Sequence, residues 1–139
     1  MKLKVAIVVK QPIEKVWDYW TQAQHIKEWY HAADTWYVPK AEVDFKNGGK
    51  FKIRMAALDK SGAFDFAGVY TDIVEQKRIN YTIDDNRKVI IKFEEIDGGV
   101  IITEQFEPTS KQPPAAQEMG WQLILQSFKK YVEDETNKV

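Results

Sequence analysis

The chain has 139 residues, 20 basic and 21 acidic, a formal net charge of -1 and no cysteine. That length fits one domain spanning 1-139, large enough to bury roughly two-thirds of its unfolded surface. The charge balance removes the electrostatic case for nucleic acid or an anionic membrane as partner, and the missing cysteines exclude disulfides, thiolate metal sites and a cysteine nucleophile.

Strand character opens the chain: from Lys2 to Val9, Leu3, Val5, Ile7 and Val9 alternate with Lys2 and Lys4. This is unlike the continuous apolar core of a signal peptide. No run approaches the ~18 apolar residues of a membrane span. The expectation is a soluble, cytoplasmic protein without stable membrane insertion. Pro12 suits a first helical position, and Ile13, Val16, Trp17 and Trp20 then form one helical stripe. Thr21-Gln22-Ala23-Gln24 has the pattern of a capping box that starts a second short helix with Ile26, Trp29 and Tyr30 inward. Thr35 to Lys40 is expected as a loop closed by Pro39.

Six strands are expected next. Ala41 to Lys46 ends at the turn signal Asn47-Gly48-Gly49. Lys50 to Ala57 alternates Phe51, Ile53 and Met55 against Lys50, Lys52 and Arg54. Ala63 to Val74 carries Phe64, Phe66 and Tyr70, with Gly68 marking a bulge or bend. Ile79 to Ile83, Lys88 to Ile96 and Val100 to Glu107 follow, the last two joined at Asp97-Gly98-Gly99. Short turns throughout predict an antiparallel meander. After Pro113-Pro114 the period becomes helical. Trp121, Ile124, Leu125, Phe128, Tyr131 and Val132 share one face as far as about Glu135, with Lys129 and Lys130 expected to face water.

These elements predict an α+β fold: a curved antiparallel sheet of six to seven strands around a long C-terminal helix, with two short helices after the first strand. A helix laid across a curved sheet touches it along a line, leaving space at the sides. The aromatic content, 13% with five Trp, six Tyr and seven Phe, could fill that space or line it.

Several segments carry a family resemblance. They are Pro12-Ile13-Glu14-Lys15-Val16-Trp17, Trp20-Thr21, His25 to Tyr30, Glu42-Val43-Asp44, Gly48-Gly49-Lys50-Phe51, Gly68 to Val74, Phe93 to Gly99 and Gly120-Trp121. In this order the chain resembles the homologues of the heat-shock protein 90 ATPase activator. These belong to the START-like, birch-pollen-allergen-like (SRPBCC) superfamily. Trp29-Tyr30 stands where the family usually has two Trp, and no Pro stands near Glu75-Gln76. The resemblance implies a helix-grip fold and a pocket more than an activity.

The expected function is binding of a small hydrophobic molecule, lipid-like or aromatic, between sheet and C-terminal helix. No cofactor, metal or catalytic residue is expected. The expected lining from the strands and their approach is Trp36, Phe51, Ile53, Met55, Phe64, Phe66 and Phe93. The helix adds Trp121, Leu125 and Phe128, with Gly120 allowing close approach. Tyr70 and Tyr81 would supply an orienting hydroxyl. His25, Glu28 and His31 suggest a metal site by type, but their helical spacing rotates them apart. Glu42, Asp44, Lys52 and Arg54 fall on faces expected to meet water. Two alternatives stand beside ligand binding. One is a polyketide cyclase or aromatase, which needs an inward cluster of Arg, Asp, Glu or Tyr. The other is a protein-binding module, acting on a chaperone or as a homodimer, which needs an exposed apolar patch.

Overall fold

A computed structural model of the chain describes residues 2–135. It begins with strand β1 (Leu3–Val9) and helices α1 (Ile13–Thr21) and α2 (Ala23–Trp29). Six strands follow: β2 (Trp36–Val43), β3 (Lys50–Ala57), β4 (Ala63–Val74), β5 (Arg78–Ile83), β6 (Lys88–Ile96) and β7 (Gly99–Phe106). Helix α3 (Pro114–Glu135) ends the described chain. The strands form one antiparallel sheet in the order β1-β7-β6-β5-β4-β3-β2. Strands β2 to β7 are therefore a meander, and β1 joins its far edge beside β7. The sheet curls into a half-barrel around α3.

Alternation along each strand decides what faces α3. The buried rows are Leu3, Val5 and Val9 of β1; Phe51, Ile53 and Met55 of β3; Ile79, Tyr81 and Ile83 of β5; and Val89, Ile91 and Phe93 of β6. From the helix side Leu125, Phe128 and Val132 are fully buried against them. Gly68 is required by close approach: a Cβ there would lie 2.4 Å from the Thr82 carbonyl oxygen and 3.0 Å from the Phe51 ring. The β4 register shift comes just beyond, between Tyr70 and Asp72. A second lies in β2 between Tyr37 and Lys40. Such irregularities bend strands and help a sheet curl.

Three local expectations are corrected. Thr35 to Lys40 is mostly strand, not loop: β2 runs from Trp36 through Pro39 and stops at Val43, short of Lys46. Pro39 is tolerated because β2 is an edge strand and the proline falls inside the register shift. Thr21 to Gln24 does not make a capping box. Gln22 is the N-cap of α2, and the Thr21 hydroxyl donates backwards to the Trp17 carbonyl at 2.8 Å, ending α1. Pro12 stands one place earlier than expected, as the α1 N-cap.

Lys129 does not face open water either. Its Nζ donates to the Val8 carbonyl at 2.8 Å and pairs with Glu133 at 2.7 Å. Gln122 Nε2 donates to the Ala6 carbonyl at 3.0 Å, and the Lys10 amide donates to Glu133 Oε2 at 2.8 Å. Gln122, Lys129 and Glu133 lie at i, i+7 and i+11 of one helical face. That face occupies backbone groups along β1, an edge that would otherwise be open to pairing. Ser127 Oγ donates to the Trp29 carbonyl at 2.7 Å, tying α3 to the end of α2.

Candidate functional site

A cavity of about 510 Å³ lies under the N-terminal half of α3. Its walls are Trp36, Met55, Phe64 and Phe66 from the strands, Tyr30 from the end of α2, and Gly120, Trp121 and Ile124 from α3. Rings set its shape. Trp121 stacks on Phe106 at 3.9 Å and 6°. Phe66 meets Trp121 edge to face at 6.1 Å and 85°. Tyr30 lies against Phe66 at 5.8 Å. The open face is built from the β7–α3 loop, which Gln117 holds. Its side chain accepts from the Thr109 amide at 2.9 Å and donates to the carbonyls of Thr109 and Gln112 at 2.9 and 2.8 Å.

Among the described residues that line the cavity, Glu104 is the buried charged one, 2% exposed. Strand periodicity puts it there: Val100, Ile102, Glu104 and Phe106 are the inward row of β7, and all four are buried. Its cross-strand neighbours are Val5 and Ile91, both apolar. Glu104 Oε1 has no hydrogen-bond partner among the described residues. Burial, with no cation to offset it, pushes the carboxyl up to about 8. It is then mostly protonated at neutral pH and able to give or take a proton.

Three tyrosines share that environment. Tyr30 and Tyr81 are hydrogen-bond partners through their hydroxyls, and both are raised well above the usual phenol range, chiefly by burial. The Glu104 charge and Tyr70 push both of them further the same way. Burial also raises Tyr70. A second space of about 30 Å³, too narrow for more than a water, lies between Phe51, Ile53, Tyr70 and Tyr81.

The expected lining residues thus separate into three places. Trp36, Met55, Phe64, Phe66 and Trp121 line the large cavity, with Phe64 at its margin, 50% exposed. Phe51, Ile53, Tyr70 and Tyr81 surround the narrow space beside it, which Phe66 and Tyr30 also touch. Phe93, Leu125 and Phe128 lie in the packed core away from both. Phe128 meets Trp20 and Trp29 at 4.9 and 4.7 Å. Sequence reasoning passed over Tyr30, Gln117 and Glu104. The signal for Glu104 was available, because the alternation that turns Ile102 and Phe106 inward turns Glu104 inward too.

Other candidates lie elsewhere. Glu42, Asp44, Lys52 and Arg54 are exposed on the outer surface, Arg54 paired to Asp65 at 3.0 Å. His25 stacks on Tyr19 at 3.8 Å and bonds through Nδ1 to the Tyr131 hydroxyl at 2.9 Å. His31 lines the large cavity instead. Among the described residues no group of three His, Cys, Asp or Glu is placed to hold a metal ion.

Residues 10–133 match the family model described as Activator of Hsp90 ATPase homolog 1-like protein. The chain belongs to that family. Among solved structures it is similar to an AHSA1-like protein from Aeromonas hydrophila, with 37% identity, a TM-score of 0.93 and coverage of 98% of this chain and 94% of that one. A protein from Cytophaga hutchinsonii shares 43% identity with a TM-score of 0.83, covering 99% of this chain and 96% of that one. A protein from Chromobacterium violaceum, at 23% identity and a TM-score of 0.86 over 96% of this chain and 98% of that one, shares the fold. No curated protein matches the chain. An AHSA1-like fold with this curved sheet fits a ligand-binding or activator-type module.

Proposed function

We propose that this chain is a single-domain binding protein for a small, largely apolar molecule, held in the cavity beneath α3. The observation that carries the reading is an aromatic-walled space of about 510 Å³ beside the buried core. Ligand sites fall in a range of about 300–1,000 Å³, are mostly apolar and carry few polar groups. Tyr30, Phe66 and Trp121 offer ring faces and edges, and Glu104 offers the polar group. No helix among the described residues is long and apolar enough to cross a membrane. The cysteine-free composition suits a reducing cytoplasm, where we place the protein.

The test is native mass spectrometry of protein purified from its own cells, followed by amide chemical-shift mapping with whatever is released. A retained small molecule whose shifts map to Tyr30, Phe66, Gly120 and Trp121 supports the reading. An empty protein that shows no such shifts with fatty acids, aromatic acids, aromatic alcohols or amines overturns it.

Glu104 gives the cyclase or aromatase alternative one specific support. A carboxyl near neutral pKa beside phenols can carry a proton between carbon and oxygen of a bound ketone. Turnover of a poly-β-ketone that disappears in Glu104→Gln would favour the enzyme over the carrier.

A further inference from the structure

The cavity has an acid at its inner surface and no base to match it. Glu104 is buried, its Oε1 is unpartnered, and no Lys, Arg or His pairs with it among the described residues. The cations that line the same cavity are otherwise engaged or exposed. Arg87 Nε pairs with Asp85 at 2.8 Å and its Nη1 reaches the Glu107 carbonyl, while Lys111 is exposed. His31 is part-exposed. A buried polar atom left without a partner costs free energy, so it marks a place where something else supplies the donor.

The surroundings specify what kind of donor. Phe66 and Trp121 meet at 85° and make a corner of ring face and ring edge. Tyr30 extends that corner, at 5.8 Å from Phe66. Aromatic faces attract a cation, and a desolvated carboxylate attracts it more strongly. A neutral carbonyl would meet only the protonated carboxyl and would leave the ring corner without its electrostatic partner. An anion would meet a buried acid.

We propose that the molecule bound here is an amphiphilic amine, its ammonium seated against Glu104 within the Tyr30–Phe66–Trp121 corner and its apolar body directed along Trp36 and Met55. This rests on the binding function proposed above. Seating the ammonium ionises Glu104: the carboxyl proton leaves to solvent, and the ammonium donates to the carboxylate in its place. Val5 and Ile91 flank Glu104 across the sheet and do not titrate. Tyr30, Tyr70 and Tyr81 stay neutral throughout the range used below.

The experiment compares 4-phenylbutylamine with 4-phenylbutan-1-ol, matched in shape, by amide shift titration of wild type and Glu104→Gln. At pH 7.5 the amine is expected to bind wild type at least tenfold more tightly than the alcohol. Glu104→Gln should reduce the amine to the alcohol's level and leave the alcohol within about twofold. In wild type alone, the amine affinity should rise about tenfold from pH 6 to pH 7 as Glu104 gives up its proton more readily, with the alcohol flat. The pH series needs no variant, so a poorly folded Glu104→Gln does not blunt the test. If both compounds bind equally, the amine assignment is wrong and the cavity stands. A tenfold preference that survives in Glu104→Gln removes Glu104 from recognition. If neither compound shifts the cavity amides, both proposals fall.

Discussion

The two ends of the space beneath α3 are made from the same residue types and behave differently. At the C-terminal end of the helix Trp20, Trp29 and Phe128 meet at 4.7 to 4.9 Å, with Phe93 edge-on to Trp17 and Trp20. Short helices α1 and α2 bring three of those indoles to the sheet, where the rings pack on one another and on Phe128 and Phe93. At the N-terminal end Trp36, Phe64, Phe66 and Trp121 surround about 510 Å³ instead of closing it. Of the short helices, α2 reaches that end with Tyr30 at its C-cap, and the β7–α3 loop held by Gln117 forms the open face. Aromatic richness alone therefore does not say whether a space is filled; what decides is how many rings a second layer of structure delivers from the opposite side.

The sharpest way to break the contrast is to truncate one ring at each end. Phe128→Ala removes a fully buried ring from the packed end and should cost about 3–5 kcal/mol, read as a fall in denaturant midpoint. Trp121→Ala at the open end should cost less than half of that, because its neighbourhood already contains empty volume, yet it should remove ligand-induced shifts. Equal losses would mean that the open end is a packed core after all.

Acidity sharpens the comparison further, since among the described residues the buried acid, Glu104, stands at the open end. Folded Glu104 titrates near 8, above its unfolded value near 4.5, so between those two pH values the native state binds more protons than the unfolded one. Stability on this account is fully present below pH 4.5 and is lost as pH rises towards 8. Between pH 5 and pH 8 the loss is about 3–4 kcal/mol, and Glu104→Gln should flatten the profile. Tyr30 and Tyr81 lie near Glu104 and, with Tyr70, remain neutral across that window, and His31, Asp85, Arg87 and Lys111 line the same cavity. Thermal melts at constant ionic strength decide it. An unchanged slope in Glu104→Gln would assign the pH dependence to other groups.

How far the sequence reaches also differs between the two ends. The packed end was readable: Ile13, Val16, Trp17 and Trp20 at helical spacing, and Leu125, Phe128 and Val132 on α3, are periodic and buried as expected. So were the meander and five of its six strands, because turn residues and alternation are local properties. The open end was read only in outline. Trp36 entered β2 where Pro39 had suggested a loop, since edge position overrides the proline's usual effect. Glu104 was passed over because an acid in a strand reads as an outward residue unless its flanking row is followed through. The share of rings between cavity and core depends on how sharply the sheet curls, which no local pattern encodes.

A smaller effect is expected at the loop across the open face. Gln117 is 4% exposed and makes three hydrogen bonds to the β7–α3 loop. Gln117→Leu keeps the volume, removes those bonds and leaves the Thr109 amide without its acceptor. A cost of about 1–3 kcal/mol is expected, with faster amide exchange confined to Thr109–Gln112. Exchange that quickens throughout α3 would show that the loop and helix open as one unit.

The smallest effect runs in the opposite direction. Gly120 sits inside α3, where glycine costs about 1 kcal/mol relative to alanine, and a Cβ built there meets no heavy atom within 4 Å. Neither backbone angle nor packing requires the glycine, in contrast to Gly68 under Thr82. Gly120→Ala should therefore raise stability by about 0.5–1 kcal/mol with little effect on binding, since one methyl takes a small part of the cavity. Gly120→Leu should keep the helical gain and block the space in front of Trp121, so that stability and ligand affinity move apart. A stabilised Gly120→Leu that still binds as wild type would place the ligand away from α3; one that loses binding would tie the glycine's cost in the helix to the volume it leaves open.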